Sequence, residues 1–221
     1  MDIAEFKYKR DHFPYEACAL SWNEKVWMRE EFVKQFSREK IANMTIEEYV
    51  VGSGDKSTFC YGIGHGLNQL AHVGNLFPTT FGVYYNKEKK TYVTDTKRWN
   101  NPEKAFADMK AYILDLLDAG EKEDLEALAK NPIQSTIKGK ILCTYFPKRY
   151  LSICGTTHLD YYMKAYGIYD KSKKNLNPVY KRESLVAFKN DDPIMRNWTL
   201  DQFAYFMWGV YPQSPKRNSV K

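Results

Sequence analysis

The chain has 221 residues, of which 43% are hydrophobic and 15% aromatic, and this is sufficient for an ordered globular core. The composition excludes the disordered and collagen-like classes. No run approaches the ~18 apolar residues of a membrane span, and residues 1–10 are charged rather than signal-like. We therefore expect a cytoplasmic protein that does not contact a membrane.

The net charge of +6 is distributed unevenly along the chain. Residues 1–130 contain 18 Lys/Arg and 21 Asp/Glu, whereas residues 131–221 contain 15 Lys/Arg and 6 Asp/Glu. A basic segment of this kind is typical of proteins that bind polyanions, because phosphate contacts supply most of the non-specific affinity. Solvated surface lysine is the structural alternative.

The cysteines and histidines show none of the close spacings of a zinc site, such as CxxC or HxxxH. Reduced thiols, no structural metal and no cofactor are therefore expected. The Cys60 thiol is interpreted as a small buried hydrophobe rather than as a nucleophile. The residues concerned are Cys18, Cys60, Cys143, Cys154, His12, His65, His72 and His158.

The first part of the chain is predicted to be helical. Apolar residues at near-helical spacing predict an amphipathic helix over residues 24–40, with Asn23 as its N-cap. Thr45 and Glu48 form a capping-box pattern, which predicts a second, short helix. Gly52 is expected to end that helix.

Three short β-compatible runs follow, over residues 57–63, 80–85 and 91–94. A polar turn over residues 86–90 joins the last two runs. Together the runs predict a small antiparallel sheet.

Asn101 and Pro102 open the clearest helix of the chain, because proline is favoured at the first helical position. Gly120 is expected to close this helix, and an acidic helix is expected over residues 121–130. The sequence Asn131-Pro132 then marks a break before the basic part of the chain.

Residues 138–146, KGKILCTYF, are predicted to form a strand that Pro147 ends. Helices are expected afterwards over residues 158–166, over residues 178–188, and from a cap of Thr199 and Gln202 through Trp208. The predicted fold is α+β, with a small antiparallel sheet, several packed helices and a mainly helical C-terminal half. We expect a single domain over residues 1–211, with a subdivision near residue 131 left open, and a flexible basic tail over residues 212–221.

The most informative segment is residues 57–85, STFCYGIGHGLNQLAHVGNLFPTTFGVYY, in which aromatic runs flank a glycine-rich loop that carries His65. Aromatic side chains offer flat apolar faces, and glycines such as Gly62 and Gly64 allow backbone to approach a ligand closely. The combination suits a planar ligand such as a nucleic-acid base. The alternative is that the aromatic residues form the core.

The chain contains, in this order, the segments IANMTIEEYV, STFCYGIG, FGVYY, a long acidic helix, KILCTYFPKRYLSI, HLDYYMKAYGI and ESLVAFKNDDPIMRNW. This order resembles the N-terminal DNA-recognition region of McrB-type modification-dependent restriction systems. The resemblance covers roughly residues 28–211. It implies a module of a restriction or phage-defence system that recognises modified double-stranded DNA. The AAA+ motor and nuclease would be fused or act in trans, because the chain lacks the GxxxxGK[ST] motif. The chain departs from the family pattern at Gly62, Gly64 and Thr80, where relatives tend to carry Trp, an acidic residue and Lys.

A reader of modified bases can extrude the nucleotide from the duplex and test it in a pocket. Aromatic residues would stack on the base, and imidazole and amide groups would bond its edge. The candidates for stacking are Tyr61, Tyr84, Tyr85 and Trp99, and those for the base edge are His65, Asn68 and Gln69. The candidates for phosphate contacts are Lys97, Arg98, Lys138, Lys140, Lys148 and Arg149. Arg149 has a structural alternative, an ion pair with an acidic residue of the helices between Glu103 and Glu126.

Catalysis is expected outside this chain, although two other classes stay open. A Mg²⁺-dependent nuclease would use Asp95 and Lys97, with Asp55 or Glu88 as the second carboxylate. There is no GxSxG elbow, and GIGHG is not a GxGxxG fingerprint, so a hydrolase or a dinucleotide enzyme is disfavoured. A protein-interaction domain is the third class, since exposed aromatic residues also serve interfaces.

Overall fold

A computed structural model describes residues 3–71, 73–74 and 76–210, apart from the side chains of residues 3 and 15–22. The predicted tail over residues 212–221, the Cys18 side chain and His72 lie outside the described residues. The helices are α1 (Ile3–Asp11), α2 (Tyr15–Gln35), α3 (Arg38–Asn43), α4 (Ile46–Tyr49), α5 (Phe59–Tyr61), α6 (Pro102–Glu121), α7 (Leu125–Lys130), α8 (Ser135–Tyr145), α9 (Thr156–Ala165), α10 (Pro178–Asp191) and α11 (Leu200–Val210). The strands are β1 (Val83–Asn86) and β2 (Thr91–Thr94).

The two strands form an antiparallel hairpin, in which Val83 pairs with Thr94 and Asn86 pairs with Thr91. The Thr94 hydroxyl donates a hydrogen bond of 2.6 Å to the carbonyl oxygen of Gly82, which fixes the open end of the hairpin. The hairpin packs on α6, and helices make up most of the remaining described chain. The predicted α+β fold with a small antiparallel sheet is therefore confirmed.

Two predicted strands are wrong. Residues 57–63 form α5 and the start of a π-helical turn (Gly62–Gly66), because the Thr58 hydroxyl caps the helix by accepting from the Tyr61 amide at 3.3 Å. Residues 138–146 lie mainly in α8, whose residues 137–144 are all buried. A helix buried on every side shows no polar face, so its short apolar run has no period that distinguishes it from a strand.

The first long helix also differs from its prediction. α2 begins at Tyr15 and ends at Gln35, so Asn23 lies inside the helix rather than at its cap. A new helix, α3, begins after Ser37, whose hydroxyl accepts from the Lys40 amide at 3.2 Å. The predicted helix over residues 24–40 therefore combines the end of one helix with the start of another.

Three other local capping signals were predicted correctly. The Thr45 amide donates to Glu48 at 2.9 Å and the Glu48 amide donates to the Thr45 hydroxyl at 3.4 Å, which completes the capping box of α4. The Thr199 amide likewise donates to Gln202 at 2.8 Å before α11. The Asn101 side chain accepts from the Lys104 amide at 2.7 Å at the start of α6.

The described residues form two hydrophobic clusters. The first is built around α6, α8 and the hairpin, with contributions from the end of α2. The second lies between α9, α10 and α11. Two ion pairs connect further elements of the fold. Arg29 of α2 pairs with Asp201 of α11, and Arg149, which follows α8, pairs with Glu183 of α10. None of the helices in the described part of the chain is long and apolar enough to cross a membrane.

Candidate nucleic-acid interface

The glycine-rich loop lies against the first hydrophobic cluster. A Cβ atom on Gly62 would approach the Phe32 ring to 2.3 Å, and one on Gly64 would approach the Phe81 ring to 3.1 Å. These two glycines therefore allow the π-helical turn to pack closely on the core. This is a different use from the approach to a ligand that the sequence predicted for them.

The outer side of the same loop presents polar and aromatic groups. His65 and Gln69 are exposed, and the Tyr61 and His65 rings are 5.3 Å apart between centroids. Asn68 is half-buried, and its side-chain oxygen has no hydrogen-bond partner within the described residues. Four of the predicted base-binding residues therefore lie within the segment Tyr61 to Gln69, and two of them, His65 and Gln69, are exposed.

Phe77 is a further aromatic residue of this region that the sequence analysis missed. It is 77% exposed and lies directly before the 3₁₀ turn Pro78–Phe81. Its neighbour Leu76 lies near Gly64, since a Cβ atom on Gly64 would approach the Leu76 side chain to 3.9 Å. A phenylalanine in an apolar stretch resembles a core residue in sequence, which is why no signal identified it.

The remaining predicted stacking residues are half-buried, as Tyr61 is, or buried. Tyr84 and Tyr85 lie in β1 and are half-buried against the first cluster. Trp99 is 6% exposed, and its indole nitrogen donates to Asp108 at 3.0 Å. The Arg98 guanidinium lies over the Trp99 ring at 4.3 Å. The predicted stacking of Trp99 on a base does not fit this burial.

Two of the predicted phosphate contacts are buried lysines. The Lys140 ammonium group donates hydrogen bonds to the carbonyl oxygens of Leu67 and of Ala71. The Lys138 ammonium group donates to the carbonyl oxygen of Leu128 at 2.6 Å, at the C-terminal end of α7. Lys140 is 0% exposed and Lys138 is 3% exposed, so neither can reach a phosphate group in this structure. The predicted phosphate contacts do not fit these positions, because the sequence placed both lysines beside a strand, whereas they lie in the buried helix α8.

Arg149 forms ion pairs with acidic residues, which was the alternative to a phosphate contact. Its guanidinium donates to both carboxylate oxygens of Glu183 at 2.9 Å and to Glu123 at 2.7 Å. These hydrogen bonds raise its pKa further above the usual value, so the group stays charged. Lys148, the neighbouring residue, is exposed and lies at the edge of a cleft between α2 and α10.

Five exposed cations lie on the hairpin and the turn that follows it, together with the exposed carboxylate of Glu88. Lys97 and Arg98, which follow β2, are exposed. A contact with phosphate, as predicted for both residues, requires this exposure. The tip of the hairpin adds three exposed lysines that the sequence analysis treated as a polar turn, and none has an ion pair in the described part of the chain. They are Lys87, Lys89 and Lys90.

Asp95, the carboxylate of the alternative nuclease site, shapes the turn after β2. Its side chain accepts from the Lys97 amide at 3.0 Å, and its carbonyl oxygen accepts from the Trp99 amide at 3.0 Å. Within the residues that the structure describes, no group of three or more His, Cys, Asp or Glu side chains is arranged to hold a metal ion.

A cleft of about 1020 Å³ lies between α2, the end of α8, α10 and the start of α11. Its lining includes the Arg29–Asp201 pair, Lys148 and Trp198. The chain matches no protein-family model, no curated protein and no solved structure. Its function must therefore be inferred from the geometry and charge of the described residues.

Proposed function

We propose that the protein is a DNA-recognition module of a restriction or phage-defence system, and that it reads a modified base for a separate AAA+ motor and nuclease. The observation that carries the proposal is the two-stranded hairpin with its exposed cations. A two-stranded β-ribbon fits the major groove of DNA, where base pairs present distinct patterns of donors and acceptors. Exposed lysines at its tip are suited to the flanking phosphates.

The glycine-rich loop supplies the groups that would read a base. His65 and Gln69 are exposed and can each donate and accept a hydrogen bond. The exposed Phe77 ring and the Tyr61 ring offer stacking faces, and stacking contributes about 1–3 kcal/mol per base. Extruding a base costs a few kcal/mol, so stacking and phosphate contacts together can offset that cost. The proposed binding surface therefore consists of the hairpin cations and the side chains of Tyr61, His65, Gln69 and Phe77.

The resemblance to McrB-type recognition regions supports the same function. It accounts for a DNA-binding module without motor motifs of its own. The departures at Gly62 and Gly64 are consistent with packing positions in this fold, since both lie against aromatic core rings.

Binding to matched duplexes tests the proposal. The duplexes would carry cytosine, methylcytosine, hydroxymethylcytosine or methyladenine at one position, across a salt series and with Mg²⁺ in one arm. We expect tighter binding to one modified duplex and no cleavage. The double variant Lys89→Ala/Lys90→Ala should weaken binding to every duplex and reduce the salt slope by about 0.9 for each phosphate that the protein no longer neutralises. Lys171→Ala, an exposed lysine before α10, is the matched control.

Each contrary result contradicts a different part of the proposal. Absence of binding to all duplexes would overturn the proposal. Mg²⁺-dependent cleavage would favour the nuclease alternative built on Asp95 and Lys97. Equal weakening by the hairpin variant and by Lys171→Ala would show that the hairpin is not the contact surface.

A further inference from the structure

The cleft between α2, α10 and α11 has a rigid apolar wall. Val26 and Val33 from α2 and Val186 from α10 line it. The Trp198 ring lines it as well and is held edge-on against Phe206 in the second hydrophobic cluster, with 5.3 Å between the ring centroids. A fixed aromatic ring beside aliphatic side chains is a suitable surface for a planar apolar group.

Two of the cations in the cleft are already neutralised. Arg29 donates to Asp201 at 2.8 Å, and both residues are buried. Arg149 is paired with Glu183 and Glu123. The Arg29 pair has no net charge, and the Arg149 group, with two carboxylates, has one net negative charge.

Three further lysines lining the cleft have no carboxylate partner within the described part of the chain. Lys34 and Lys148 are exposed at its edge, and Lys189 is buried in its wall. Glu30 is an exposed carboxylate on the same edge, also without an ion pair among the described residues. The lining as a whole has five Lys/Arg and four Asp/Glu side chains, so the cleft has a net charge of +1.

Lys189 is the most informative of these groups. It is 4% exposed, and its ammonium group donates to the side-chain oxygen of Asn190 and to the carbonyl oxygen of Arg196, both at 3.1 Å. An ammonium group has three N–H donors, so one remains. A buried charge with neutral acceptors alone is costly unless a counter-ion is nearby. An anion in the cleft would supply that counter-ion.

We propose that this cleft binds a free nucleotide, with the phosphates near Lys34, Lys148 and Lys189 and the base against Trp198 and the valines. The proposal goes beyond DNA recognition and uses a different surface from the hairpin. The cleft volume is at the upper end of the range of about 300–1,000 Å³ for small-molecule sites, which is sufficient for a nucleoside with several phosphates. The apolar wall and the cationic edge match the two halves of such a ligand.

Calorimetric titration of the full chain with ATP tests the proposal, with tripolyphosphate as the ligand that lacks a nucleoside. We expect saturable binding of one ATP per chain, and binding of ATP at least about fivefold tighter than that of tripolyphosphate. Lys148→Ala should weaken ATP binding about tenfold. Lys189→Met should weaken it as well, and Lys171→Ala should leave it unchanged.

The variants distinguish this site from the proposed DNA surface. Lys148→Ala removes an exposed side chain, so its result stands even if the buried Lys189→Met variant does not fold. The Lys89→Ala/Lys90→Ala variant should lose DNA binding and keep ATP binding. Absence of ATP binding, equal affinity for tripolyphosphate, or displacement of ATP by duplex DNA would each overturn the proposal.

Discussion

The buried ammonium group of Lys140 donates a hydrogen bond of 2.6 Å to the carbonyl oxygen of Ala71. The same group also donates to the carbonyl oxygen of Leu67. One side chain of α8 therefore fixes the end of the glycine-rich loop, although the two parts of the chain are about seventy residues apart in sequence. This contact links the core to the segment that we propose reads a base.

Replacing Lys140 with methionine is expected to loosen the loop. Two buried carbonyl oxygens would lose their donor, at a cost of about 1–3 kcal/mol in the free energy of unfolding, since removal of the buried charge offsets part of the loss. Hydrogen exchange should accelerate at the Leu67 and Ala71 amides. In Lys138→Met, which alters the end of α7 instead, the loop amides should exchange as in the parent protein. Unchanged exchange in Lys140→Met would contradict this role.

Lys138 should make stability depend on pH. Burial, with a smaller effect from Arg182, lowers the pKa of Lys138 from 10.5 to about 8. Between those pH values the unfolded chain holds a proton that the folded chain has released. Lys138 should therefore contribute an increase in the free energy of unfolding as the pH rises, by up to about 1.4 kcal/mol per pH unit.

The variant Lys138→Met isolates that contribution. Urea denaturation at pH 7, 8, 9 and 10 should show a steeper rise for the parent protein than for the variant. Lys171→Met replaces an exposed lysine and should follow the parent protein. Parallel curves for the parent and Lys138→Met would exclude a lowered pKa for Lys138.

Trp99 should affect stability and leave base selectivity unchanged. Trp99→Phe removes the hydrogen bond to Asp108, at a cost of about 0.5–1.5 kcal/mol, and Trp99→Ala should cost about 3–5 kcal/mol because it leaves a cavity. The affinity ratio between modified and unmodified duplexes should be the same for Trp99→Phe and the parent protein. A changed affinity ratio in Trp99→Phe would indicate that Trp99 contacts the base after all.

His65 and Gln69 should show the opposite behaviour. Both side chains are exposed, so His65→Ala and Gln69→Ala should change the free energy of unfolding by less than about 0.5 kcal/mol. Under the proposed function, at least one of the two should reduce discrimination between modified and unmodified duplexes. Full discrimination in both variants would remove the loop from the proposed base contact.

The buried pair of Arg29 and Asp201 should stabilise the junction of α2 with α11. Asp201→Leu leaves the Arg29 charge buried without a partner, which should cost about 3–5 kcal/mol. Burial also raises the pKa of Asp201, and the hydrogen bond to Arg29 opposes that rise. The double variant Arg29→Met/Asp201→Leu should recover most of the loss. Additive effects of the two single changes in a denaturation cycle would exclude coupling.

The sequence by itself determined the features that depend on neighbouring residues. The capping pairs Thr45 with Glu48 and Thr199 with Gln202 were predictable because each pair closes hydrogen bonds within one turn of helix. Asn101 before Pro102 marked the start of α6 for the same reason. The hairpin strand Thr91–Thr94 was predicted from its composition and the polar turn before it.

Only the tertiary structure decided which cations are available to a ligand. Lys138 and Lys140 have the same local appearance as exposed basic residues, yet carbonyl oxygens of distant segments satisfy them inside the core. Their helix, α8, was predicted as a strand because burial on every side removes the polar face that reveals a helical period. The sequence left Arg149 open between a phosphate and an acidic residue of residues 103–126, and the structure pairs it with Glu123 and also with Glu183 of α10, which the sequence pattern did not indicate. Burial and long-range pairing depend on packing between segments, which local sequence patterns do not encode.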